Sequence, residues 1–141
     1  MMNGTLLPEI RKTVIINAPV EKVWRAVSTA EGIAAWWMEN TFTPELGCEF
    51  VLHAGPYGDS TCKITAFEPM RKVGFDWDRD WHLTFELRDL GDNKTEFTLI
   101  HSGFDAEKRT PFGQPHAAVR VIMDDGWEKH VKEKLPSVVE S

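Results

Sequence analysis

Positive charge is in short supply in this sequence. Sixteen lysines and arginines stand against twenty-two aspartates and glutamates, a net charge of −6. Phosphate backbones are held by basic surfaces, so nucleic acid is excluded as a general partner. Cysteine is scarcer still. Cys48 and Cys62 are the whole supply, which makes no disulfide framework, and neither belongs to a C-x-x-C pair. The five histidines, at 53, 82, 101, 116 and 130, show no H-x-x-x-H or H-E-x-x-H spacing, so no zinc site is expected. No nucleophile elbow and no phosphate-cradling loop is present, and neither catalysis nor a cofactor is indicated. No apolar run is long enough to cross a bilayer, which excludes membrane insertion by a helix. The opening MMNGTLLPEIRK lacks the charged and apolar regions of a signal peptide, and a cytoplasmic location is expected.

What is plentiful is aromatic carbon, with six tryptophans and eight phenylalanines. Such rings either fill a core or line a ligand pocket, and composition does not separate the two. The stretch from Pro115 to Leu135 organises them. Val119, Ile122, Met123, Trp127, Val131 and Leu135 recur at three- and four-residue steps, which predicts one apolar stripe on a helix of ~30 Å. Glu128 and Lys132 have the i,i+4 order that supports an exposed face. Gly126 costs roughly 1 kcal/mol against alanine inside a helix. Close approach to another backbone or to a ligand explains it best, with a tolerated defect as the alternative. Pro136 is expected to end or kink the helix near Leu135.

Earlier segments supply the surface this helix needs. Glu9 to Asn17 reads as a first strand. Pro19 opens a short helix carrying Val20, Val23, Trp24 and Val27. Ser28 to Glu31 has capping-box spacing and starts a second short helix bearing Ile33, Trp36 and Trp37. From Gly47 the period changes to two. Phe50, Leu52 and Ala54, then Cys62, Ile64 and Ala66, then Val73, Phe75 and Trp77 alternate with polar residues. Trp81, Leu83, Phe85 and Leu87, and finally Thr95, Phe97, Leu99 and His101, continue the pattern. Turns such as 55–59 and 90–93 separate these runs, which predicts an antiparallel meander with one apolar face. No linker or repeat appears, so one domain over residues 1–141 is expected.

The order of elements and several short motifs resemble a known superfamily. Ala18-Pro19-Val20-Glu21-Lys22-Val23-Trp24 is similar to the A-P-x-x-x-V-W entry of START-like (SRPBCC) proteins. Trp36-Trp37, His101-Ser102-Gly103-Phe104 and Gly126-Trp127 resemble the branch named after the activators of heat-shock-protein ATPase. The resemblance runs from about Ile10 to Leu135. It implies an α+β helix-grip (Bet v 1-like) fold: a six-stranded curved antiparallel sheet wrapped around a long C-terminal helix, with two short helices after strand 1. It also implies an apolar cavity between sheet and helix. Members bind or transform lipids, sterols and polyketides, and eukaryotic namesakes with a further N-terminal domain are cochaperones.

Residues and resemblance together frame two functions. One is binding of a hydrophobic small molecule. Phe50, Leu52, Ile64, Phe75, Trp77, Leu83, Phe85, Phe97, Leu99 and His101 would line the sheet side of its cavity. Val119, Ile122, Met123 and Trp127 would face them, with His82 or Arg88 near the rim. The other is a protein-interaction module, such as a chaperone partner. His101 shares a face with Phe97 and Leu99, so it is either a bonded core histidine or a ligand contact. Ser102 beside it faces the other way and forms no catalytic pair with it. Asp76, Asp78 and Asp80 have calcium-loop spacing at first, but Trp81 and Leu87 stand where glycine and glutamate are needed. A solvated hairpin tip is the expectation there. The 104–114 segment is either a lid or a plain connection. A turn centred near Tyr57 would pair Cys62 with the neighbourhood of Leu52, well away from Cys48, leaving two free thiols.

Overall fold

The computed structural model describes residues 6–53, 58–78, 80–111 and 113–140. Strand β1 (Ile10–Ile16) is followed by helices α1 (Val20–Val27) and α2 (Ala30–Trp36). Strands β2 (Glu49–His53), β3 (Asp59–Glu68), β4 (Lys72–Trp77), β5 (Trp81–Gly91) and β6 (Lys94–Ser102) follow. The C-terminal helix comprises α3 (His116–Lys129), one π-helical turn (His130–Lys134) and α4 (Leu135–Glu140). The strands form one antiparallel sheet in the order β1-β6-β5-β4-β3-β2. The meander is therefore as expected, and β1 adds to it beside β6. This is the helix-grip arrangement, with the sheet curving around a C-terminal helix of 25 residues. No described helix is long and apolar enough to cross a membrane.

Alternation places one face of the sheet inward. Phe50, Leu52, Ile64, Phe75, Trp77, Leu83, Phe85, Phe97, Leu99 and His101 are all at most 4% exposed. Two local features depart from strict alternation. A bulge between Ile64 and Ala66 shifts the β3–β4 register, so Phe67, not Ala66, turns inward. There it packs on Trp24, with ring centroids 5.4 Å apart. In β2–β3, Cys62 pairs with Phe50, not Leu52, because the connection lies between His53 and Asp59. Cys48 thus sits one diagonal step from Cys62, closer than expected, and both remain free thiols. Ala54, Gly55, Pro56 and Tyr57 lie outside the described residues.

The helices correct the sequence reading in four places. Thr29, not Ser28, caps α2, its hydroxyl accepting from the Gly32 N–H at 3.0 Å. Ser28 instead donates to the Trp24 carbonyl at 2.6 Å. On α3 the inward stripe is His116, Val119, Met123 and Trp127, while Ile122 is 66% exposed. Ile122 lies ~100° around the helix from Met123, beyond the edge of that stripe. Gly126 meets no neighbouring atom where a Cβ would stand, so no backbone approaches it. It is a tolerated defect as far as protein atoms are concerned.

The fourth correction is Pro136. The helix runs on through it to Glu140. In an α-helix the proline ring would strike the carbonyl four residues back. Here the turn is wider, with the Leu135 N–H donating to the carbonyl of His130, five residues back. The same turn keeps the stripe straight. Trp127, Val131, Leu135 and Val139 follow at four-residue spacing, and all are at most 2% exposed. Each such step overshoots an α-helical turn by roughly 40°, and the π turn takes up part of that drift. Lys12, inward on β1, reaches Asp124 and Glu128 at 3.0 Å each and ties α3 to the sheet edge.

Candidate functional site

The space between sheet and helix is not left open along its middle. Trp36 and Trp37, at the end of α2, enter it from the side. Trp36 lies 5.6 Å from Phe85, 6.1 Å from Phe97 and 6.5 Å from Trp127, centroid to centroid. Trp37 lies 4.9 Å from Trp127 and 5.4 Å from Trp77. These two rings occupy the volume in which a cavity was expected. The Trp36 N–H donates to the Ala26 carbonyl at 2.8 Å, so this part of the interior is satisfied as well as filled.

The end of the interior near the β4–β5 hairpin is built differently. Trp77 and Trp81 are cross-strand partners flanking the hairpin tip. Their ring centroids are 5.1 Å apart at 80°. His101, from β6, stacks on Trp77 at 5.1 Å and meets Trp81 edge-on at 4.9 Å. Phe104 closes on His101 at 4.5 Å, and His116 stands 5.6 Å from Trp81. His101 is fully buried, and its Nδ1 accepts a hydrogen bond from the Trp127 indole at 3.0 Å. An accepting Nδ1 fixes the neutral tautomer with its proton on Nε2. Burial, reinforced by the charges of Arg120 and His116, pulls the His101 pKa down from 6.5 to about 3. The ring is therefore neutral across the physiological range.

Three N–H groups in this cluster have no acceptor. Among the described residues, Trp77 Nε1, Trp81 Nε1 and His101 Nε2 are the buried side-chain polar atoms without a hydrogen-bond partner. An indole N–H is a donor only, and the Nε2–H of this tautomer is a donor too. Buried donors left unpaired cost about 1–3 kcal/mol each, so three in contact call for an explanation. Two of the three, Trp77 and Trp81, line a crevice with Asp78, Asp80, Thr110, Pro111 and His116, and His101 lies behind them in contact with both rings. The crevice has room for about one water molecule at most.

The 104–115 segment forms the roof of this crevice, and polar contacts hold it there. Lys108 Nζ pairs with Asp80 Oδ1 at 2.9 Å. The Asp105 N–H donates to His116 Nδ1 at 3.1 Å, and the His116 N–H to the Lys108 carbonyl at 3.0 Å. Gly103, at φ +95°, starts the segment. A side chain there would collide with the Asp80 carbonyl, so the backbones of loop and hairpin tip touch only because it is glycine. Arg120 sits over the Phe104 ring at 5.9 Å and donates to the Pro8 carbonyl at 2.8 Å.

Several expected site positions move. His82 and Arg88 are not rim groups of the interior. They stand on the outer face, where His82 bonds Asp76 at 3.1 Å and Arg88 reaches Glu96 at 3.1 Å. Ile122 points outward, and Met123 is half-buried. The acidic hairpin tip is not merely solvated. Asp76, Asp78 and Asp80 bond His82, Ser60 and Lys108 respectively. The residues missed are Trp36 and Trp37, which fill the middle of the interior, and Trp81, Phe104 and His116, which build the hairpin-end cluster. His116 was within reach, since 116, 119, 123 and 127 form one helical stripe. Trp81 has the same alternation as Leu83 and Phe85. The insertion of Trp36 and Trp37 depends on how α2 docks, which no periodicity encodes.

Comparison with known proteins now has a geometry to attach to. None of the curated proteins matches the chain. Among solved structures, the Bacillus halodurans protein BH1534 is 43% identical, with a TM-score of 0.84, covering 96% of this chain and 99% of that one. The Mesorhizobium loti protein MLL2253 is 25% identical, with a TM-score of 0.80, covering 94% and 97%. The Aha1 dimer from Colwellia psychrerythraea shares the fold at 19% identity, with a TM-score of 0.69, covering 89% and 91%. Residues 17–140 match the family described as activator of Hsp90 ATPase homolog 1-like protein. With nearly its whole length inside that match, the chain belongs to the activator of Hsp90 ATPase homolog 1-like family.

Proposed function

We propose that this protein binds a hydrophobic small molecule between the sheet and the C-terminal helix, at the hairpin end beneath the 104–115 segment. The observation that carries the reading is the cluster of three unpartnered N–H groups beside the crevice. A packed core satisfies its polar atoms, whereas a ligand site keeps a few in apolar walls. The middle of the interior is filled, so the ligand enters at this end by displacing the loop or the Trp81 ring. Phe104 anchors the start of the loop in the core, while the exposed Lys108 is tied down by its ion pair to Asp80 and by backbone hydrogen bonds, the kind of contact that opens locally. Two structures with the same fold come from proteins named DynU16, in the dynemicin biosynthetic locus, and CalU16 of Micromonospora echinospora. Titrating a panel of lipids and aromatic natural products by NMR tests the proposal. Shifts centred on Trp77, Trp81, His101 and His116 support it, and absence of binding across the panel removes it.

A second reading is a protein-interaction module acting on a chaperone. The family description favours it. So do Val121 and Ile122, each 66% exposed on the outer face of α3. Stimulation of Hsp90 ATPase by the protein, lost in a Val121→Asp, Ile122→Asp variant, would establish this reading in place of the first.

A further inference from the structure

Resting on the small-molecule reading above, we infer that the Trp77–Trp81–His101 cluster is a donor-only recognition end that selects ligands with a neutral carbonyl acceptor. The argument starts from what the three groups can do. Neither indole nitrogen can accept a hydrogen bond. His101 has committed its accepting nitrogen to Trp127, at 3.0 Å. The three rings touch one another, with centroids 4.9–5.1 Å apart. They therefore present N–H donors without a single open acceptor among them. A ligand hydroxyl or amine meets these three rings only through its lone pair, and its own proton finds no acceptor among them. A carbonyl oxygen, with two lone pairs and no proton, matches the set.

Charge narrows the class further. The three donors are neutral, so a buried carboxylate would exchange its hydration for neutral N–H groups, while the nearby Arg120 is already bonded to the Pro8 carbonyl. Asp78 and Asp80 line the crevice, and Lys108 beside them is already paired with Asp80, so among the described residues an incoming anion is offered no open counter-charge there. The walls are ring faces and edges, which suits a flat aromatic or conjugated body attached to the carbonyl.

Matched probes test this. Acetophenone carries an aryl carbonyl; α-methylstyrene replaces its oxygen with a methylene of nearly the same shape; benzoate replaces the methyl with an anionic oxygen. The indole N–H signals of the full chain are followed by NMR during titration. Acetophenone is expected to bind roughly tenfold tighter than α-methylstyrene, the return of one to two neutral hydrogen bonds. It is expected to move the Trp77 and Trp81 N–H resonances downfield while leaving that of Trp36, already bonded to Ala26, in place. Benzoate is expected to leave all of them unmoved. In Trp81→Phe the ratio of acetophenone to α-methylstyrene affinity should fall several-fold. Equal binding of acetophenone and α-methylstyrene, centred on this cluster, would overturn the carbonyl inference and leave the ligand site standing. Preferred binding of benzoate would also overturn it. Absence of any shift from all three probes, and from the wider panel, would remove the site itself.

Discussion

The two ends of the sheet–helix interior are equally rich in rings and differ in their polar groups. At the α2 end, the Trp36 indole donates to Ala26 and the Thr95 hydroxyl to the Ala18 carbonyl at 2.9 Å. Ser28 is bonded too. At the hairpin end, two indoles and an imidazole keep unpaired protons. Burial does not separate these regions, since Trp36 is 1% exposed and Trp77 4%. The state of the hydrogen-bond donors does. Two regions can look alike in packing, and the unpaired donor is what separates these two.

Trp127 spans both ends, and its loss has the largest expected effect on the comparison. It touches Trp36 and Trp37 on one side and bonds His101 on the other. Trp127→Ala should destabilise the fold by about 3–5 kcal/mol in denaturant melts. A change below about 1 kcal/mol would take Trp127 out of the core altogether.

Acid should act through the hairpin end. In the unfolded chain His101 takes up its proton near pH 6.5, and in the fold not until about pH 3. The stability tied to its neutral form is therefore complete above about pH 6.5 and declines as pH falls toward 3. At 1.36 kcal/mol per pH unit, the loss is on the order of a few kcal/mol. Urea melts between pH 7.5 and 4 should show a shallower dependence in His101→Phe than in the natural sequence. Parallel curves would mean that His101 does not govern this slope.

A matched pair of substitutions compares the ends directly. Trp36→Phe and Trp81→Phe remove the same atoms, but the first strands the Ala26 carbonyl and the second deletes an N–H that has no partner. Trp36→Phe should cost about 1–3 kcal/mol more than Trp81→Phe. Equal losses would erase the distinction. The smallest effect belongs to Gly126. With open space around it, Gly126→Ala should raise stability by about 0.5–1 kcal/mol. A loss of ligand binding in that variant would show that the open space beside Gly126 is used.

Element order, strand alternation and the facing of His101 were all legible in the sequence, because period two and period 3.6 are direct images of which side meets the core. The missing information was of another kind. Nothing in the spacing of Trp36 and Trp37 says that they fill the gap under the sheet, since that depends on where α2 lands in three dimensions. The bulge that turns Phe67 inward, and the two-residue register change at Cys62, arise from turn geometry that a pattern of apolar residues does not contain. His82 and Arg88 were misplaced for a simpler reason. Both follow the polar half of the alternation in β5, and that half faces away from the helix.

The π turn can also be counted as a spare residue. A segment that makes one turn with an extra residue is, in its outline, an α-helix carrying a single-residue insertion. Removing one exposed position from it, such as Glu133, would restore ordinary winding without rotating Leu135 and Val139 off the sheet. A deletion elsewhere in the helix would swing everything beyond it through ~100°. The obstacle is Pro136, whose ring needs the wider turn. The deletion should therefore be severe in the natural sequence and mild once Pro136→Ala accompanies it, a contrast that thermal melts would expose. The helix thus holds one position where its length is adjustable, and proline is the latch that keeps it at its present count.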